Sequence, residues 1–502
     1  MAQVHQLTIP INRVEGDLEV RLRVEHGTVV DAWSCGTLYR GFEKIMVGRQ
    51  ALDGLVITPR ICGICSTAHL TAAALALDAI AGVEPPPDAV RIRNLTLMAE
   101  LLQNDLRHTF LTFMVDFCNP AYRNLPLYEE AVRRFQPLQG STVKAVLEVT
   151  RRILEIVAIF GGQWPHSSYM VPGGITTVPS QSDLLQCRHL AAHFRRWYED
   201  RVLGCGLERW SEVRSAADLD AWLEEDERHR DGELGFLIRF GRAAGLDQIG
   251  RGEDSFLSFG ALPIPEDSSV RPADGAGKAA LIPAGLRRDG HFLPFDPARV
   301  TEHAAWSWAA EYPGGRHPFE GLTEPQTSRK SEKYSWAKAP RYDGRPAETG
   351  PLAELVVAGR PLFTDLLERA GANALTRQLA RLLRPAELLP VMEVWLNEIS
   401  TERPCYVPVF EPFHGEGCGL THGARGALGH WVKIVDNTIR HYQIITPTTW
   451  NASPRDSLGV GGPWEQALVG TPMPDPENPI AVGHVIRSFD ACLVCTVHTI
   501  VG

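Results

Sequence analysis

The sequence changes character at residues 59–69, which read Pro59-Arg60-Ile61-Cys62-Gly63-Ile64-Cys65-Ser66-Thr67-Ala68-His69. Before this stretch, residues 16–24 alternate apolar and charged side chains, as a half-buried strand does. After it, residues 68–81 are rich in alanine and leucine at helical spacing, which recurs over 90–117, 127–160 and 352–398. Short strands are expected again at 431–435 and 441–445. The pattern predicts a β-rich start, a bundle-like helical core and a mixed C-terminal part.

The composition is that of a globular protein and excludes several other classes. The 502 residues are 44% hydrophobic and 22% charged, which does not fit a disordered chain, a collagen-like repeat or a coiled-coil rod. The formal net charge of -10 is spread along the chain and argues against a nucleic-acid binder. The most apolar helical stretch, residues 70–83, is too short to span a membrane and contains Asp78.

Ten cysteines are too few for a disulfide scaffold in a chain of this length. Four of them form two C-x-x-C pairs near the ends of the chain, Cys62/Cys65 and Cys492/Cys495. Each pair can present two thiolates on one side of a turn. Four converging thiolates would suit zinc, nickel, iron or an iron–sulfur cluster.

Three kinds of site use such pairs. A structural zinc site usually takes its two pairs from about 15–20 residues apart, whereas these pairs lie at opposite ends of the chain. A thioredoxin-like redox motif needs a surrounding βαβ unit, which neither region predicts. The third kind is a catalytic or electron-transfer metal site built from both chain ends. Spacing alone leaves the zinc and the catalytic explanations open.

The residues around both pairs resemble the signature motifs of nickel–iron (NiFe) hydrogenase large subunits. The motifs are Arg60-x-Cys62-Gly63-x-Cys65 with His69 four positions later, and Asp490-x-Cys492-x-x-Cys495-x-x-His498. Further matching segments are Arg13-Val14-Glu15-Gly16, Arg40-Gly41-Phe42-Glu43, Gly161-Gly162-Gln163-Trp164-Pro165-His166, Pro172-Gly173-Gly174 and Trp450-Asn451-x-x-Pro454-Arg455-Asp456. The resemblance covers about 1–200 and 385–498, and it favours a nickel–iron site over a structural zinc site.

The resemblance and the hydrophobic pattern predict one fold class: mainly α with β-rich N- and C-terminal segments (α+β). The expected core is a helical bundle, with the metal site buried where both chain ends meet. We expect one catalytic unit over 1–502, made of a β-rich N-terminal lobe (1–60), a helical core (61–205), a variable loop-rich insertion (206–345) and a C-terminal helical and β lobe that completes the site (346–502).

The resemblance implies the ligands of a Ni–Fe(CN)2(CO) centre. Nickel would be bound by Cys62, Cys65, Cys492 and Cys495, and iron by Cys65 and Cys495, which would bridge the two metals. Cys492, a terminal thiolate, would also take part in catalysis. Soft thiolate ligands suit nickel, which supports this assignment.

Five residues around the centre are implied to act on protons, hydrogen or the metal ligands. Glu15 would relay protons from a terminal cysteine, because heterolytic cleavage of hydrogen needs a nearby base. Arg455 would hold its guanidinium over the open metal position. Pro454 and Asp490 would surround the diatomic ligands and that arginine, and His69 would donate to a bridging cysteine sulfur.

A second cation site is implied near the chain end. Glu43, His498 and the backbone carbonyl of Ile444 would bind Mg²⁺, a hard cation that prefers oxygen ligands. Such a site would tie the C-terminus to the N-terminal lobe.

The implied activity is heterolytic cleavage of H2 to protons and electrons in the uptake direction. The segment 34–40 resembles the cytosolic uptake branch. The short tail after His498 and the bulky Ile64 resemble hydrogen-sensing subunits, so a sensor with slow turnover is the first alternative. A non-catalytic, zinc-clamped structural subunit is the second.

The resemblance also implies partners and a location. Electrons would leave through an Fe–S small subunit, and Fe–S clusters would be present only in that partner. We expect a higher-order heteromer that takes H2 as substrate, without nucleic acid and without a membrane span. The N-terminus lacks the basic and apolar regions of a signal peptide, so we expect a cytoplasmic location, with membrane association through partners as the alternative.

Overall fold

The computed structural model describes residues 4–14, 16, 18–271, 280–326 and 332–492. Its strands are β1 (Val4–Pro10), β2 (Leu18–Glu25), β3 (Thr28–Gly36), β4 (Met170–Val171), β5 (Gly174–Ile175), β6 (Ser255–Pro263), β7 (Ala280–Arg288), β8 (His291–Leu293), β9 (Val300–His303), β10 (Gly315–Arg316), β11 (Ala339–Tyr342), β12 (Gly415–Gly423), β13 (Gly426–Val435) and β14 (Thr438–Ile445). They form small sheets, including the antiparallel orders β1-β2-β3, β6-β7-β8 and β12-β13-β14.

The helices carry most of the core. They are α1 (Phe42–Met46), α2 (Asp53–Ile57), α3 (Ser66–Ala81), α4 (Pro87–Arg107), α5 (Tyr128–Phe135), α6 (Ser141–Ile153), α7 (Glu155–Gly161), α8 (Gln181–Trp197), α9 (Leu207–Trp210), α10 (Ala216–Glu225), α11 (Glu227–Asp231), α12 (Glu233–Ala243), α13 (Pro351–Val357), α14 (Pro361–Ala370), α15 (Ala374–Glu398), α16 (Pro447–Asn451), α17 (Pro463–Leu468) and α18 (Ile480–Ser488). The long helices α4 and α15 contact each other at the centre of the bundle. The α+β class, with a helical core and β-rich ends, is confirmed.

The N-terminal sheet brings the two ends of the chain together. In β2, buried apolar residues alternate with charged residues, as the sequence pattern predicts. The buried face packs with residues of α17 and α18 in one apolar cluster, which includes Leu22, Trp464 and Val485. Because α18 leads directly to Cys492, this packing fixes where the C-terminal cysteine lies.

Two stretches predicted to be helical are divided into several helices. Residues 127–160 form α5, α6 and α7, and residues 352–398 form α13, α14 and α15. Pro137 lies in the turn between α5 and α6, where Leu138 adopts φ 61°. A Cβ at Gly140 would lie 2.2 Å from the carbonyl oxygen of Arg134, so this turn needs glycine.

Helix α3 packs directly on β12, and this contact positions the candidate site. A Cβ at Gly419 would lie 1.8 Å from the carbonyl oxygen of Ala72, so the strand and the helix can approach this closely only with glycine there. Helix α3 begins immediately after Cys65, and β12 leads into the turn that carries Arg425. The predicted strands at 431–435 and 441–445 lie within β13 and β14.

Residues 206–345, expected to be rich in loops, contain α9 to α12 and β6 to β11 between their loops. The charge-dense run 222–231 covers the end of α10 and all of α11, with Trp222 buried and stacked on His229. In the described ranges, no helix is long and apolar enough to cross a bilayer.

Candidate metal centre

Cysteines from both ends of the chain converge in the interior. The Sγ atoms of Cys62, Cys65 and Cys492 all lie within 4.8 Å of one another, and those of Cys62 and Cys492 are 3.4 Å apart. All three residues are buried, and none forms a disulfide. The backbone N–H of Cys492 donates to Thr448 Oγ1 at 3.0 Å, which fixes the C-terminal cysteine. A buried group of thiol ligands from two segments fits a soft metal such as nickel.

Arg425 places its guanidinium against this cysteine cluster. Its Nη1 lies 3.1 Å from Sγ of Cys65, and its Nε donates to Asp490 Oδ1 at 2.9 Å. Burial alone would lower the pKa of Arg425, but Asp490 and the cysteine sulfurs raise it well above its ordinary value. The side chain therefore remains a cation next to the sulfurs.

Asp490 is held by several donors and in turn orients Arg425. Its backbone adopts φ 62°, Oδ2 accepts from Asn104 Nδ2 at 2.7 Å, and Oδ1 lies 3.0 Å from His108 Nδ1. Burial alone would raise the pKa of Asp490, but Arg425 and His108 hold it well below its usual range. His108 opens a π-helical turn after α4, a distortion that often accompanies functional sites.

Arg455, expected over the metal position, lies elsewhere. Its guanidinium pairs with Asp31 and lies 5.0 Å from the ring centre of Trp33, and its side chain is 24% exposed. The neighbouring Pro454 is buried, and its carbonyl accepts from Arg341 at 3.3 Å. The contact to a cluster sulfur is made by Arg425 instead. The motif at 450–456 does not specify where the side chain of Arg455 points. After α16 the chain runs towards β3, so this guanidinium reaches Asp31 and Trp33. Gly423 and Gly426 mark a turn at Arg425 in the sequence, but they do not show which guanidinium reaches the sulfurs.

His69 lies on α3, one helical turn after Cys65. Its Nδ1 is 3.1 Å from Nε2 of His430, whose Nδ1 is 3.0 Å from the hydroxyl of Tyr442. Burial lowers the pKa of His69 to about 4, although the nearby Cys62 opposes this shift. The expected donation from His69 to a cysteine sulfur stays a prediction.

Glu100, on α4, holds the turn that carries the first cysteine pair, and sequence reasoning missed it. Its carboxylate accepts from the backbone N–H groups of Thr67 at 2.8 Å and Ala68 at 3.1 Å, at the start of α3. The indole of Trp164 also donates to it at 3.3 Å. Burial raises the pKa of Glu100 to about 7, although these hydrogen bonds oppose the shift. No motif marks this residue, because its role depends on how α3 and α4 pack.

A buried ionic network anchors the segment that precedes the site arginine. Arg384 donates to Asp105 at 2.7 and 2.9 Å, to Glu354 at 2.9 and 3.0 Å, and to the carbonyl of Ala424 at 2.9 Å. His422 lies 2.8 Å from Glu354 on the other side. Burial raises the pKa of Asp105 to about 6 against the effect of Arg384. For Glu354, Arg384 and His422 outweigh burial and lower the pKa to about 2.

The chain matches the family model described as nickel-dependent hydrogenase over residues 40–124 and 240–498. The chain belongs to the nickel-dependent hydrogenase family. It is 32% identical to the periplasmic NiFeSe hydrogenase large subunit of Desulfomicrobium baculatum, over 98% of this chain and 94% of that protein. It is 28% identical to the hydrogenase-1 large chain of Escherichia coli K12, with the same two coverages. The expected family and enzyme class are confirmed.

Solved structures show the same fold. The as-isolated, oxidised Ni-Fe-Se hydrogenase of Desulfovibrio vulgaris Hildenborough superposes with a TM-score of 0.83 at 32% identity, over 99% of this chain and 100% of that chain. The names of these two relatives include selenium, whereas the sequence of this hydrogenase carries cysteine at all four positions of its two pairs.

Two of the residues expected at the second cation site, Glu43 and Ile444, are buried and contact each other. Glu43 Oε1 accepts from Gln443 at 2.6 Å and from the backbone N–H of Ile444 at 2.9 Å. Lys338 pairs with Glu302 Oε2 at 2.9 Å, and Glu302 Oε1 is buried with no hydrogen-bond partner among the described residues. Burial and Glu43 raise the pKa of Glu302 to about 7 against the effect of Lys338. An unsatisfied buried carboxylate oxygen fits a hard cation here.

Three residues of the expected site lie outside the described residues: Glu15, Cys495 and His498. Their roles as proton relay, bridging ligand and Mg²⁺ ligand stay predictions.

Proposed function

We propose that this large subunit cleaves H2 heterolytically, in the uptake direction, at a Ni–Fe(CN)2(CO) centre held by Cys62, Cys65, Cys492 and Cys495. The convergence of three buried sulfurs from both chain ends carries this proposal. When bound, the centre supplies an electron-rich metal with an open position that polarises H2. Cys62 and Cys492 would be the terminal ligands of nickel, and Cys65 and Cys495 the bridges to iron.

The protein residues around the cluster would control charge and protons. Arg425, a permanent cation 3.1 Å from a sulfur, would stabilise negative charge that develops as H2 is cleaved. Asp490 would keep that guanidinium in place. Glu15 would accept the proton from a terminal cysteine and pass it outward. Glu15→Gln should therefore retain nickel and lose hydrogen/deuterium exchange; full exchange in this variant would remove Glu15 from the proton path.

The hydrogen-sensing alternative is supported by one observation. Ile64, between the first two cysteines, is half-buried and packs against the cluster formed by Cys62, Cys65 and Cys492, where it would narrow the approach of gas. A sensor and an uptake enzyme would bind H2 at the same site. Steady-state H2 oxidation with an artificial acceptor distinguishes them, because a sensor turns over slowly.

We propose Mg²⁺ for the second site, bound by Glu43, the carbonyl of Ile444 and His498. The buried oxygen donors and the unsatisfied Glu302 Oε1 support a hard cation there. The ion would hold the last residues of the chain against β14.

We propose an Fe–S small subunit as the partner that removes the electrons, and we define an apolar face on which it would dock. Its exposed members are Ile45, Val47, Leu52, Val56, Val178, Tyr406, Val407 and Phe410. Three of them, Leu52, Val178 and Tyr406, line a cavity of about 500 Å³. Helix α2 runs from this face into the turn before Cys62, so a partner here would lie beside the cysteine cluster. An exposed apolar surface of this kind is typical of an interaction site.

We propose a cytoplasmic location, with membrane association through partners as the alternative, because the cysteines in the described part of the chain form no disulfide, which fits a reducing compartment. The relative from Desulfomicrobium baculatum is named as periplasmic. Fractionation of the native cells, with the small subunit followed in parallel, separates these locations.

Nickel content tests the proposed centre. Cys492→Ser in the complex with its partner should lose nickel, because it removes one of the thiolate ligands. Cys118→Ser is the matched control, since Cys118 lies outside the cluster and donates only to the carbonyl of Ala131. Full nickel content in Cys492→Ser would contradict the proposal, and stoichiometric zinc in the unmodified protein would support the zinc-clamped alternative.

A further inference from the structure

Three buried rings form a hydrogen-bonded chain that begins beside the cysteine cluster. His69 Nδ1 lies 3.1 Å from His430 Nε2, and His430 Nδ1 lies 3.0 Å from the hydroxyl of Tyr442. The three side chains are 1%, 0% and 4% exposed, so water does not compete for these bonds. His69 lies one helical turn after Cys65, and its backbone N–H donates to the carbonyl of Cys65 at 3.1 Å.

Only one placement of the protons on these three side chains gives every buried N–H and O–H group an acceptor within the chain or at the cysteines. A neutral imidazole has one donor and one acceptor nitrogen, and burial favours the neutral form. If the protons pointed away from the cluster, His430 would donate to the Tyr442 oxygen, and the hydroxyl hydrogen would need another acceptor. Among the described residues, His430 is the only hydrogen-bond partner of the Tyr442 hydroxyl. A buried hydroxyl hydrogen without an acceptor is costly, so this arrangement is disfavoured.

The opposite arrangement satisfies every group. Tyr442 donates to Nδ1 of His430, Nε2–H of His430 donates to Nδ1 of His69, and His69 keeps its own proton on Nε2. The nitrogen that a histidine protonates is set by the hydrogen bond made by its other nitrogen. Nε2 of His69 is the nitrogen that remains available to the cysteines.

We propose that His430 and Tyr442 are positioning residues of the metal centre, which fix His69 in the tautomer that presents an N–H donor to the cysteine sulfurs. The proposal rests on the proposed function only in assigning those cysteines to the metal. Hydrogen bonds to ligand sulfurs change the reduction potential of a metal site. The Tyr442 hydroxyl would therefore influence the reduction potential of the centre through His430 and His69, without contacting the metal ligands itself. Without the hydroxyl, His430 loses the donor that holds its proton on Nε2, and both tautomers of His69 become accessible.

The test compares Tyr442→Phe with Tyr39→Phe in the complex with the small subunit, labelled with ¹⁵N-histidine. Tyr39 is a matched control, because its hydroxyl is also buried but has no hydrogen-bond partner among the described residues. Both variants keep the aromatic ring, so neither opens a large cavity. Solid-state ¹⁵N NMR reports which nitrogen of each histidine is protonated, and loss of a signal in His69→Gln assigns His69.

In the unmodified complex and in Tyr39→Phe, His69 should have a protonated Nε2 and a bare Nδ1. Tyr442→Phe should show a second population with the proton on Nδ1, a shift of the infrared bands of the metal ligands, and about tenfold slower hydrogen/deuterium exchange. A proton on Nδ1 in the unmodified complex, or an unchanged tautomer in Tyr442→Phe, would overturn the proposal. The NMR result does not depend on turnover, so it is distinct from a failure of the hydrogenase reaction itself.

Discussion

Arg425 and Cys65 are 360 positions apart in the sequence, yet Nη1 of the arginine lies 3.1 Å from Sγ of the cysteine. The contact depends on the packing of α3 against β12, which Gly419 permits at the backbone of Ala72. The helix begins just after Cys65 and the strand ends just before Arg425, so one helix–strand contact sets the distance between the two side chains. Asp490 then fixes the direction of the guanidinium.

We expect Arg425→Lys to retain nickel and to slow hydrogen/deuterium exchange about a hundredfold, because lysine keeps the charge but cannot contact Cys65 and Asp490 together. Arg455→Lys is the control, since that guanidinium pairs with Asp31 at the edge of β3. Exchange rates and nickel content of both variants are the measurement. A large loss in Arg455→Lys with normal exchange in Arg425→Lys would restore the assignment made from the sequence motif.

Glu100→Ala should destabilise the protein by about 3 kcal/mol, because it leaves the N–H groups of Thr67, Ala68 and Trp164 buried without an acceptor. Glu100→Gln keeps one carbonyl oxygen as an acceptor and should lose less stability than Glu100→Ala. The measurement is Tm by calorimetry, together with nickel content, since the same turn carries the first cysteine pair. Equal Tm values for Glu100→Ala and the unmodified protein would show that this carboxylate does not hold the turn.

The ionic network at Glu354 predicts how stability depends on pH. Its pKa of about 2 in the fold lies below the ordinary value of 4.5, so its contribution is complete above pH 4.5 and is lost as pH falls towards 2. Glu354→Gln should therefore cost roughly 3 kcal/mol at pH 7 and flatten the dependence of Tm on pH between 4.5 and 2. Glu416→Gln, at a half-exposed carboxylate paired with Lys433, is the control. If Tm of Glu354→Gln still falls between pH 4.5 and 2 as steeply as Tm of the unmodified protein, the lowered pKa of Glu354 is contradicted.

The apolar face should bind the small subunit. Leu52→Ser combined with Phe410→Ser should weaken assembly, because Phe410 is 88% exposed and both residues lose apolar area that a partner would bury. Loss of about 3 kcal/mol would raise Kd roughly a hundredfold. Phe292→Ser, at another exposed phenylalanine on β8, is the control. Co-purification and titration with the small subunit measure the effect, and unaltered binding of the double variant would place the interface elsewhere.

The sequence motifs identified three cysteines that the structure brings together, but they did not identify every residue around those cysteines, for a physical reason. Ligand pairs are local motifs, so Cys62, Cys65 and Cys492 could be recognised without knowledge of the fold. Arg425 could not be chosen over Arg455, because which guanidinium reaches the sulfurs depends on the packing of α3 on β12. Tertiary placement likewise decides the role of Glu100, whose sequence neighbourhood is an ordinary helix.

Secondary structure shows the same division. Alternation in β2 and helical spacing in α3 reflect local burial and were predicted correctly. The run at 127–160 was predicted as one long helix and the run at 352–398 as a helical region, because apolar spacing continues through their turns. Pro137 and Gly140 were the local signals that should have divided the first run.

The most direct test of the account is an infrared spectrum of the protein purified with its partner, recorded with and without H2. Bands of metal-bound carbon monoxide and cyanide that shift under H2 are expected, together with one nickel for each large subunit. Absence of these bands in a protein that contains zinc instead would contradict it, because the buried cysteines would then hold a structural ion and not a hydrogen-cleaving centre.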